Sequence, residues 1–437
     1  MSSRKRAAGV KAAPDRPLLF VNARQVVTCA GPARARRGAE MKELAIREDV
    51  AVAVQGETIA AVGSRANLAK HFKRPIEVDC ARGVLMPALV DSHTHAVFGA
   101  PRAAEHEMRA AGMDYMQIAR QGGGIHSSVR DVRGRSEKDL LALARGRLRK
   151  LAAYGVGTIE VKSGYGLTLD DELKLLRVIR RLSLELPIRL VPTFLGAHEV
   201  PMEYRETSAK RREYIDLVIK HMIPAVAAEK LAVFSDVFCE TGVYTADESR
   251  EMLTAARGAG LGIKLHADEL TSCGGAELAA QLGATSADHL AAISESGIRA
   301  LAGSGTVATL LPATMLFLGK TAHAPARRMI NAGIPVAIAT DFNPGTSPTV
   351  GLPLALTLGV SQLRLSAAET IIAATVNGAA ALGLAGQIGQ IAPGFGADLA
   401  LLEAADYREL PYWLGARICR GLWSRGKACD VYDLDVT

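Results

Sequence analysis

The pattern of apolar and polar positions divides the chain into regions with different predicted architecture. Near the N-terminus, apolar runs at 18–28, 50–62 and 76–79 predict β-strands, and Gln55-Gly56-Glu57 predicts a turn within the second run. No helix is predicted between these strands. This part of the chain is therefore expected to form a small β domain.

Further along, short apolar runs alternate with loop and helix patterns, as a parallel sheet covered by helices requires. Eight candidate strands follow this rhythm, at 85–93, 158–162, 188–195, 234–239, 262–266, 286–290, 307–311 and 335–340. Eight strand–helix units predict an α/β fold built on a (β/α)8 TIM-like barrel.

Capping patterns place helices between several of these strands. A hydroxyl residue is followed three positions later by a carboxylate at Ser136 and Asp139, Thr168 and Asp171, and Thr245 and Glu248, and Ser366 and Glu369 open a further helix after the last of these strands. After the second pair, apolar residues recur every three to four positions, at Leu173, Leu176, Ile179, Leu182 and Leu186. This spacing predicts a helix that packs one face on the sheet.

The last part of the chain returns to a β pattern at 397–402, after several glycines and a proline. We expect these strands to join the N-terminal ones. The predicted organisation is a basic, flexible tail at 1–16, a small composite β domain from both chain ends at 17–84 and 385–437, and the barrel at 85–384.

Composition excludes several classes of protein. A chain of 437 residues with 49% hydrophobic and 22% charged residues is typical of a globular protein with a large core. Part of the net charge of +7 lies in the N-terminal tail, and no basic stripe is interleaved with aromatic residues, so a nucleic-acid partner is not expected. No apolar stretch reaches transmembrane length, so no membrane partner is expected either.

The cysteines indicate a reducing compartment. None of the six forms a C-x-x-C pair, and they are scattered over the chain at Cys29, Cys80, Cys239, Cys273, Cys419 and Cys429. Such a distribution favours free thiols over a disulfide framework. The basic tail also lacks the apolar segment of a secretory signal. We therefore expect a cytoplasmic protein.

The first predicted barrel strand ends in His93-Thr94-His95. On an extended chain, residues two apart place their side chains on the same face at roughly 7 Å. That spacing suits two ligands of one metal ion. The alternative is a pair of ordinary histidines at a strand end.

Polar residues also follow the other predicted strands, and five of the ten histidines lie at predicted strand ends when His93 and His95 are included. The residues are Tyr165, His198, His266, Asp268, Glu269, Asp288, His289, Asp341 and Asn343. In a barrel of this type the carboxyl ends of the strands carry the chemistry. So many polar groups meeting at one rim are costly unless they have a function.

Three histidines and a carboxylate suit a hydrolytic metal site, and we predict His93, His95, His266 and Asp341 as the ligands. A water molecule on such an ion loses a proton near neutral pH, and Asp341 or Glu269 can accept it. Two-metal sites often use a modified lysine on the fourth strand. Because 234–240 contains no lysine, a single ion is favoured.

The order of these residues resembles the amidohydrolase superfamily: His-x-His after the first strand, histidines on the fifth and sixth, and aspartate on the eighth. Longer segments resemble its imidazolonepropionase family, from the first β segment onward. They are Gln121-Gly122-Gly123-Gly124-Ile125, Lys162-Ser163-Gly164-Tyr165-Gly166, His266-Ala267-Asp268-Glu269 and Asp341-Phe342-Asn343-Pro344-Gly345-Thr346.

The resemblance implies hydrolysis of the ring amide of 4-imidazolone-5-propanoate to N-formimidoyl-L-glutamate in histidine degradation. It also implies one zinc or iron ion per chain and a homodimer. Glu269, His289 and Asp341 are then the groups that move protons. Phe342 is bulkier than the cysteine that similar sequences lead us to expect there, and we predict that it faces the packing.

The substrate needs a cation for its propionate, and Arg102, one loop after His95, can bind a carboxylate through two N–H groups. The alternative is a solvated surface arginine. Tyr115 and Tyr165 offer hydroxyls, while His198 and His289 are expected to bind the ring or hold the reacting oxygen.

By resemblance, Asn343, Gly345 and Thr346 contact substrate or product, although the same residues are typical of a tight turn. A heterocycle deaminase would use the same metal ligands. The predicted arginine clamp and the run at 162–166 disfavour that alternative. The presence of all four ligands disfavours a non-catalytic binding scaffold.

Overall fold

The computed structural model describes residues 16–113, 117–118 and 122–430. The predicted tail, apart from residue 16, and Tyr115 lie outside the described residues. The strands are β1 (Leu18–Val21), β2 (Gln25–Val27), β3 (Ile46–Arg47), β4 (Ala51–Gln55), β5 (Thr58–Gly63), β6 (Ile76–Asp79), β7 (Val84–Pro87), β8 (Leu89–Asp91), β9 (Val156–Lys162), β10 (Arg189–Ala197), β11 (Phe234–Cys239), β12 (Gly262–Ala267), β13 (Ser286–His289), β14 (Val307–Leu310), β15 (Val336–Ile338), β16 (Leu399–Leu402), β17 (Cys419–Ser424) and β18 (Lys427–Cys429).

The α-helices span Arg65–His71, Ala103–Ala110, Ile125–Gly134, Glu137–Ala153, Leu169–Glu185, Ser208–Leu217, Ile223–Ala228, Ala246–Gly258, Gly275–Leu282, Glu295–Ala302, Pro312–Phe317, Ala326–Asn331, Leu352–Ser361, Ala367–Ala373, Val376–Ala380 and Glu409–Tyr412. A π-helical turn at Val218–Met222 joins two of them, and short 3₁₀ helices occur at Gly38–Lys42 and Met202–Tyr204.

Strands β8 to β15 form one parallel sheet in which neighbours in sequence are neighbours in space, which confirms the predicted barrel. Its two edges meet just beyond the strands. The amide of Asp341 donates to the carbonyl of His93 at 3.0 Å, and the amide of His95 donates to the carbonyl of Phe342 at 2.8 Å. Predicted metal ligands of the first and last strands are thus brought side by side.

The predicted first barrel strand is two strands in different sheets. Val84–Pro87 pairs with β16 and β2, and Leu89–Asp91 pairs with β9 in the barrel. The chain changes sheet at Ala88, whose amide bonds to Asp398, while the amide of Leu89 bonds to Gly155. Both segments are fully buried, so their apolar pattern cannot indicate which sheet each one joins.

Two smaller sheets flank the barrel. One contains β5-β4-β1-β6, with the predicted turn between β4 and β5, and the other contains β18-β17-β16-β7-β2-β3. The second sheet combines strands from both chain ends, whereas the first contains N-terminal strands. One expectation is wrong: the helix Arg65–His71, capped by Ser64, lies between β5 and β6.

The predicted helix caps are confirmed. The side-chain hydroxyls of Ser136, Thr168, Thr245 and Ser366 each accept a hydrogen bond from the amide three residues later. In the helix Leu169–Glu185 the predicted apolar face is buried and packs on β10, with Leu186 just beyond its end. These helices cover the barrel and fix the directions in which its strand ends point.

Candidate metal centre

Four predicted ligands converge at the carboxyl end of the barrel. The Nε2 atom of His95 lies 3.3 Å from Nε2 of His93 and 3.4 Å from Nε2 of His266. Oδ1 of Asp341 lies 3.5 Å from Nε2 of both His93 and His95. Donors about 2.1 Å from a tetrahedral zinc ion lie about 3.4 Å apart. The donor atoms of His93, His95 and Asp341 are spaced as ligands of one such ion, and His266 adjoins them through its contact with His95.

Carboxylates orient two of these imidazoles. Nδ1 of His93 lies 2.6 Å from Oδ2 of Asp288, and Nδ1 of His266 lies 3.1 Å from Asp236. Each ring then donates from Nδ1 and keeps the Nε2 lone pair for a metal. Asp341 is fixed in a similar way, because the Thr314 hydroxyl donates to its Oδ2 at 2.7 Å and leaves Oδ1 towards the histidines.

Burial keeps four imidazoles of this region neutral. Burial lowers the pKa of His93, His95 and His289 well below the usual value, and lowers the pKa of His198 to about 3. Neutral imidazole is the form that binds metals. Burial also raises the pKa of Asp341 to about 6. This carboxyl therefore takes up a proton more readily than an ordinary aspartate.

His198 and Tyr165 lie beside the predicted metal ligands. The ring of His198 stacks on His95 with centroids 4.9 Å apart, and its Nδ1 donates to the carbonyl of Gly164 at 3.0 Å. Tyr165 is buried, with its ring 5.3 Å from that of His198 and 5.9 Å from that of His95. The structure therefore brings both predicted substrate-binding side chains next to the ligand cluster.

Glu269 and His289 form a pair at the rim. Oε2 of Glu269 lies 3.5 Å from Nε2 of His289, and His289 lies close enough to His93 and His266 to share a cation with them. Burial raises the pKa of Glu269 well above the usual value, and Asp341 and Glu240 raise it further. A carboxyl with a raised pKa next to a metal site suits proton transfer.

Arg102 reaches the site from the loop after the first strand. Its side chain is only 10% exposed, which disagrees with a solvated surface arginine. Glu105 lies 3.8 Å from Nε, and among the described residues Nε has no hydrogen-bond acceptor. The guanidinium packs against Gly345, and the backbone amide of Arg102 donates to Pro344 at 3.1 Å.

Asn343 and Thr346 are occupied within their own loop. The side-chain carbonyl of Asn343 accepts from the amides of Gly345 and Thr346, and its NH2 group donates to the Asp341 carbonyl and the Thr346 hydroxyl. These bonds are those of the tight turn that the sequence left as an alternative. Phe342 is buried with its ring 5.6 Å from that of Phe98, as predicted.

Backbone strain accompanies the site. Asp268, His289, Leu290 and Asp341 all have φ between 48° and 77°, a region that residues other than glycine seldom adopt. Three of them end or follow barrel strands that carry site residues. Such conformations persist where the surrounding structure fixes them, and they are frequent at functional sites.

Sequence reasoning missed the charged floor of the barrel. Five fully buried ionic side chains lie below the metal ligands, on strands β9, β11, β12 and β13: Glu160, Lys162, Asp236, Lys264 and Asp288. The sequence signal that could have revealed this floor is a charged residue inside each of these predicted buried strands. Burying a charge is costly in free energy unless it is paired with an opposite charge. The order of the strands along the chain does not reveal which of these charged side chains meet.

Known proteins provide an independent comparison. A family model described as the amidohydrolase family matches residues 99–427. Imidazolonepropionase from Solibacter usitatus is 46% identical over 93% of this chain and 97% of its own length. The corresponding proteins from Chloroflexus aggregans and Geobacillus kaustophilus are each 44% identical, over 94% of this chain and 97% of theirs.

Solved structures share the fold at lower identity. An adenosine deaminase from Xanthomonas campestris with bound zinc has a TM-score of 0.69 at 19% identity, covering 95% of this chain and 93% of that chain. A triazine hydrolase variant has a TM-score of 0.73 at 19% identity, covering 95% and 94%. At such identities the likeness concerns the fold alone.

Proposed function

The chain belongs to the amidohydrolase family and, within it, to the imidazolonepropionases, and we propose that its metal centre opens the ring amide of 4-imidazolone-5-propanoate. Water adds to the amide carbonyl, the carbon–nitrogen bond breaks, and N-formimidoyl-L-glutamate forms in histidine degradation. The observation that carries this proposal is the convergence of four metal-donor atoms in a chain so similar to these enzymes.

We propose one zinc or iron ion per chain, held by His93, His95, His266 and Asp341. In support, Nε2 of His93, Nε2 of His95 and Oδ1 of Asp341 lie 3.3 to 3.5 Å from one another, and Nε2 of His266 lies 3.4 Å from that of His95. When bound, such an ion supplies Lewis acidity, which polarises a carbonyl oxygen and lowers the pKa of water. Nitrogen and carboxylate donors suit zinc and iron alike.

Glu269 is proposed to take the proton from the attacking water and return it to the departing ring nitrogen. Its burial and its raised pKa suit a group that must both accept and release a proton near neutral pH. His289, whose Nε2 lies 3.5 Å from this carboxyl, is proposed to hydrogen-bond the reacting oxygen. Asp341 is a second acceptor for the same proton in this proposal.

Arg102 is proposed to bind the propionate. Its guanidinium is largely buried and lies against the loop after the eighth strand, on the side of the barrel where the metal ligands face. A carboxylate bound there would pair with a cation that the described acids only partly neutralise. Tyr165 and His198 would hold the ring of the substrate, and the turn at Gly345 would contact the propionate end. Asn343 and Thr346 would act indirectly, by stabilising that turn. A role for Tyr115 stays a prediction.

Product analysis tests this function. Ring opening adds one water and releases no ammonia, whereas a deaminase releases ammonia. Mass spectrometry of the purified protein with 4-imidazolone-5-propanoate should detect formimidoylglutamate, and a chelator should abolish it. Ammonia release without ring opening would favour the deaminase alternative. Lys162 no longer argues against that alternative, because its ammonium is buried among carboxylates.

Assembly and location stay predictions. No helix among the described residues is long and apolar enough to cross a membrane. All six cysteines are free thiols, in keeping with the reducing compartment expected for a cytoplasmic enzyme. We propose a homodimer on family resemblance, and light scattering of the purified protein would measure it.

A further inference from the structure

Lys162 lies inside the barrel directly beneath the metal ligands. Its ammonium nitrogen is 2.7 Å from Asp236, 2.9 Å from Glu160 and 3.7 Å from Asp288, and all four side chains are completely buried. Although burial opposes the charge, these carboxylates hold the pKa of Lys162 above its usual value. The side chain is therefore a cation enclosed by anions.

This arrangement is costly as a means of stabilising the fold. The free-energy cost of desolvating several ionic groups offsets most of the favourable free energy of their attraction. Apolar side chains of similar volume often stabilise a fold equally well. The positions of the carboxylates suggest another reason. Asp236 receives the hydrogen bond of the His266 ring, and Asp288 receives that of the His93 ring at 2.6 Å.

We propose that Lys162 is a positioning residue of the metal centre, which holds Asp236 and Asp288 on one ammonium and so fixes His266 and His93 relative to each other. This inference rests on the proposed metal centre. The two histidines belong to strands five and one of the barrel, which are not adjacent in the sheet. A link through the barrel interior is the direct way to couple them.

Lys264, on another strand, is the second buried lysine of this charged floor, but it makes different contacts. Its ammonium lies 3.0 Å from Glu160 and donates to the carbonyl of Ser92 at 3.0 Å, whereas Asp288 is 3.8 Å away. It therefore secures the backbone that precedes His93. Glu160 lies between the two ammonium groups and contacts neither ring-orienting carboxylate by hydrogen bonding.

A charge-balance role is the competing explanation. Removing Lys162 leaves three carboxylates facing one ammonium, which would destabilise the fold whatever its effect on the metal ligands. Removing Glu160 at the same time restores the balance but not the link between Asp236 and Asp288. The pair of variants therefore separates stability from ligand placement.

The experiment compares Lys162→Met, the double variant Lys162→Met with Glu160→Gln, and Glu160→Gln alone as the matched control. Metal is removed from each protein, and zinc affinity is measured by competition with a chromophoric chelator. Cobalt absorption reports the ligand geometry, and thermal unfolding of the metal-free protein reports stability.

We expect the single variant to lose stability and to bind zinc 10–100-fold more weakly. The double variant should regain thermal stability but not zinc affinity, with a cobalt spectrum that stays altered, while Glu160→Gln alone keeps near-normal affinity. Recovery of affinity together with stability would overturn the proposal, as would unchanged affinity in Lys162→Met or failure of both Lys162 variants to fold. Lack of metal binding by the wild type would instead overturn the metal centre itself.

Discussion

The guanidinium of Arg102 lies so close to Gly345 that a β-carbon at that glycine would fall 1.2 Å from Nη2. The two residues come from the loops after the first and eighth strands, and the hydrogen bond from the Arg102 amide to Pro344 ties these loops together. Because residue 345 is a glycine and has no β-carbon, the guanidinium of Arg102 can occupy this position. The two residues should behave as one unit in substrate binding.

Substituting either residue should weaken substrate binding by the same route. Arg102→Met removes the partner of a buried carboxylate, which costs about 2–5 kcal/mol in catalytic efficiency, and Arg102→Lys should rescue only part of it. Gly345→Ala should displace the guanidinium and raise KM for 4-imidazolone-5-propanoate. Steady-state kinetics of both single variants and the double variant would measure this, and we expect strong non-additivity.

The control for the glycine is Gly146→Ala, in a helix where a β-carbon would meet nothing within 4 Å. Kinetics of this variant should match the wild type. A substrate analogue with an amide in place of the carboxylate should be nearly insensitive to Arg102→Met. An equal penalty on both compounds would identify the arginine as structural and remove its role in substrate choice.

Metal binding should depend on His266. His266→Ala removes one of four donors, so elemental analysis should find bound metal and activity lost together. The wild type should contain one ion per chain. As a control, His71→Ala changes an exposed histidine and should alter neither quantity. Two ions per wild-type chain, or an active metal-free variant, would contradict the proposed site.

Glu269→Gln should slow turnover while metal stays bound. The amide keeps the shape of the side chain but cannot accept a proton, so kcat should fall by roughly 10²–10⁴-fold. Glu199→Gln is the matched control, because Glu199 is equally buried at the rim and pairs with Arg205 instead. Normal turnover in Glu269→Gln would exclude proton transfer, and loss of its metal would show that Glu269 supports the ligands.

Closure of the barrel should depend on Asp91. Its carboxylate accepts hydrogen bonds from the Thr340 amide at 3.0 Å and from the Thr340 hydroxyl at 2.6 Å, at the junction of the first and last strands. Asp91→Ala leaves buried donors without acceptors, which should lower the free energy of unfolding by about 1–3 kcal/mol. Asp91→Asn keeps an acceptor and should cost less. Urea unfolding of both variants would compare them, and equal losses would exclude this role for the hydrogen bonds.

The sequence by itself determined the barrel and the four predicted ligands. Strand and helix periods are local properties, so eight strand–helix units could be counted, and parallel strands place their carboxyl ends at one rim. That rule placed His93, His95, His266 and Asp341 at the same rim, together with several other polar residues, and the ligand set itself stays a prediction. Resemblance to a family added the substrate and Arg102.

Only the tertiary structure decided which side chains meet. The change of sheet at Ala88 joins two segments with the same apolar pattern, and the turn bonds of Asn343 use the side chain that resemblance assigned to substrate. The contacts of Lys162 with Asp236 and of Arg102 with Gly345 join residues far apart in the chain. Periodicity describes how one segment faces the core. Pairing inside the core depends on the lateral register and closure of the strands, which fix those neighbours only once the barrel has formed.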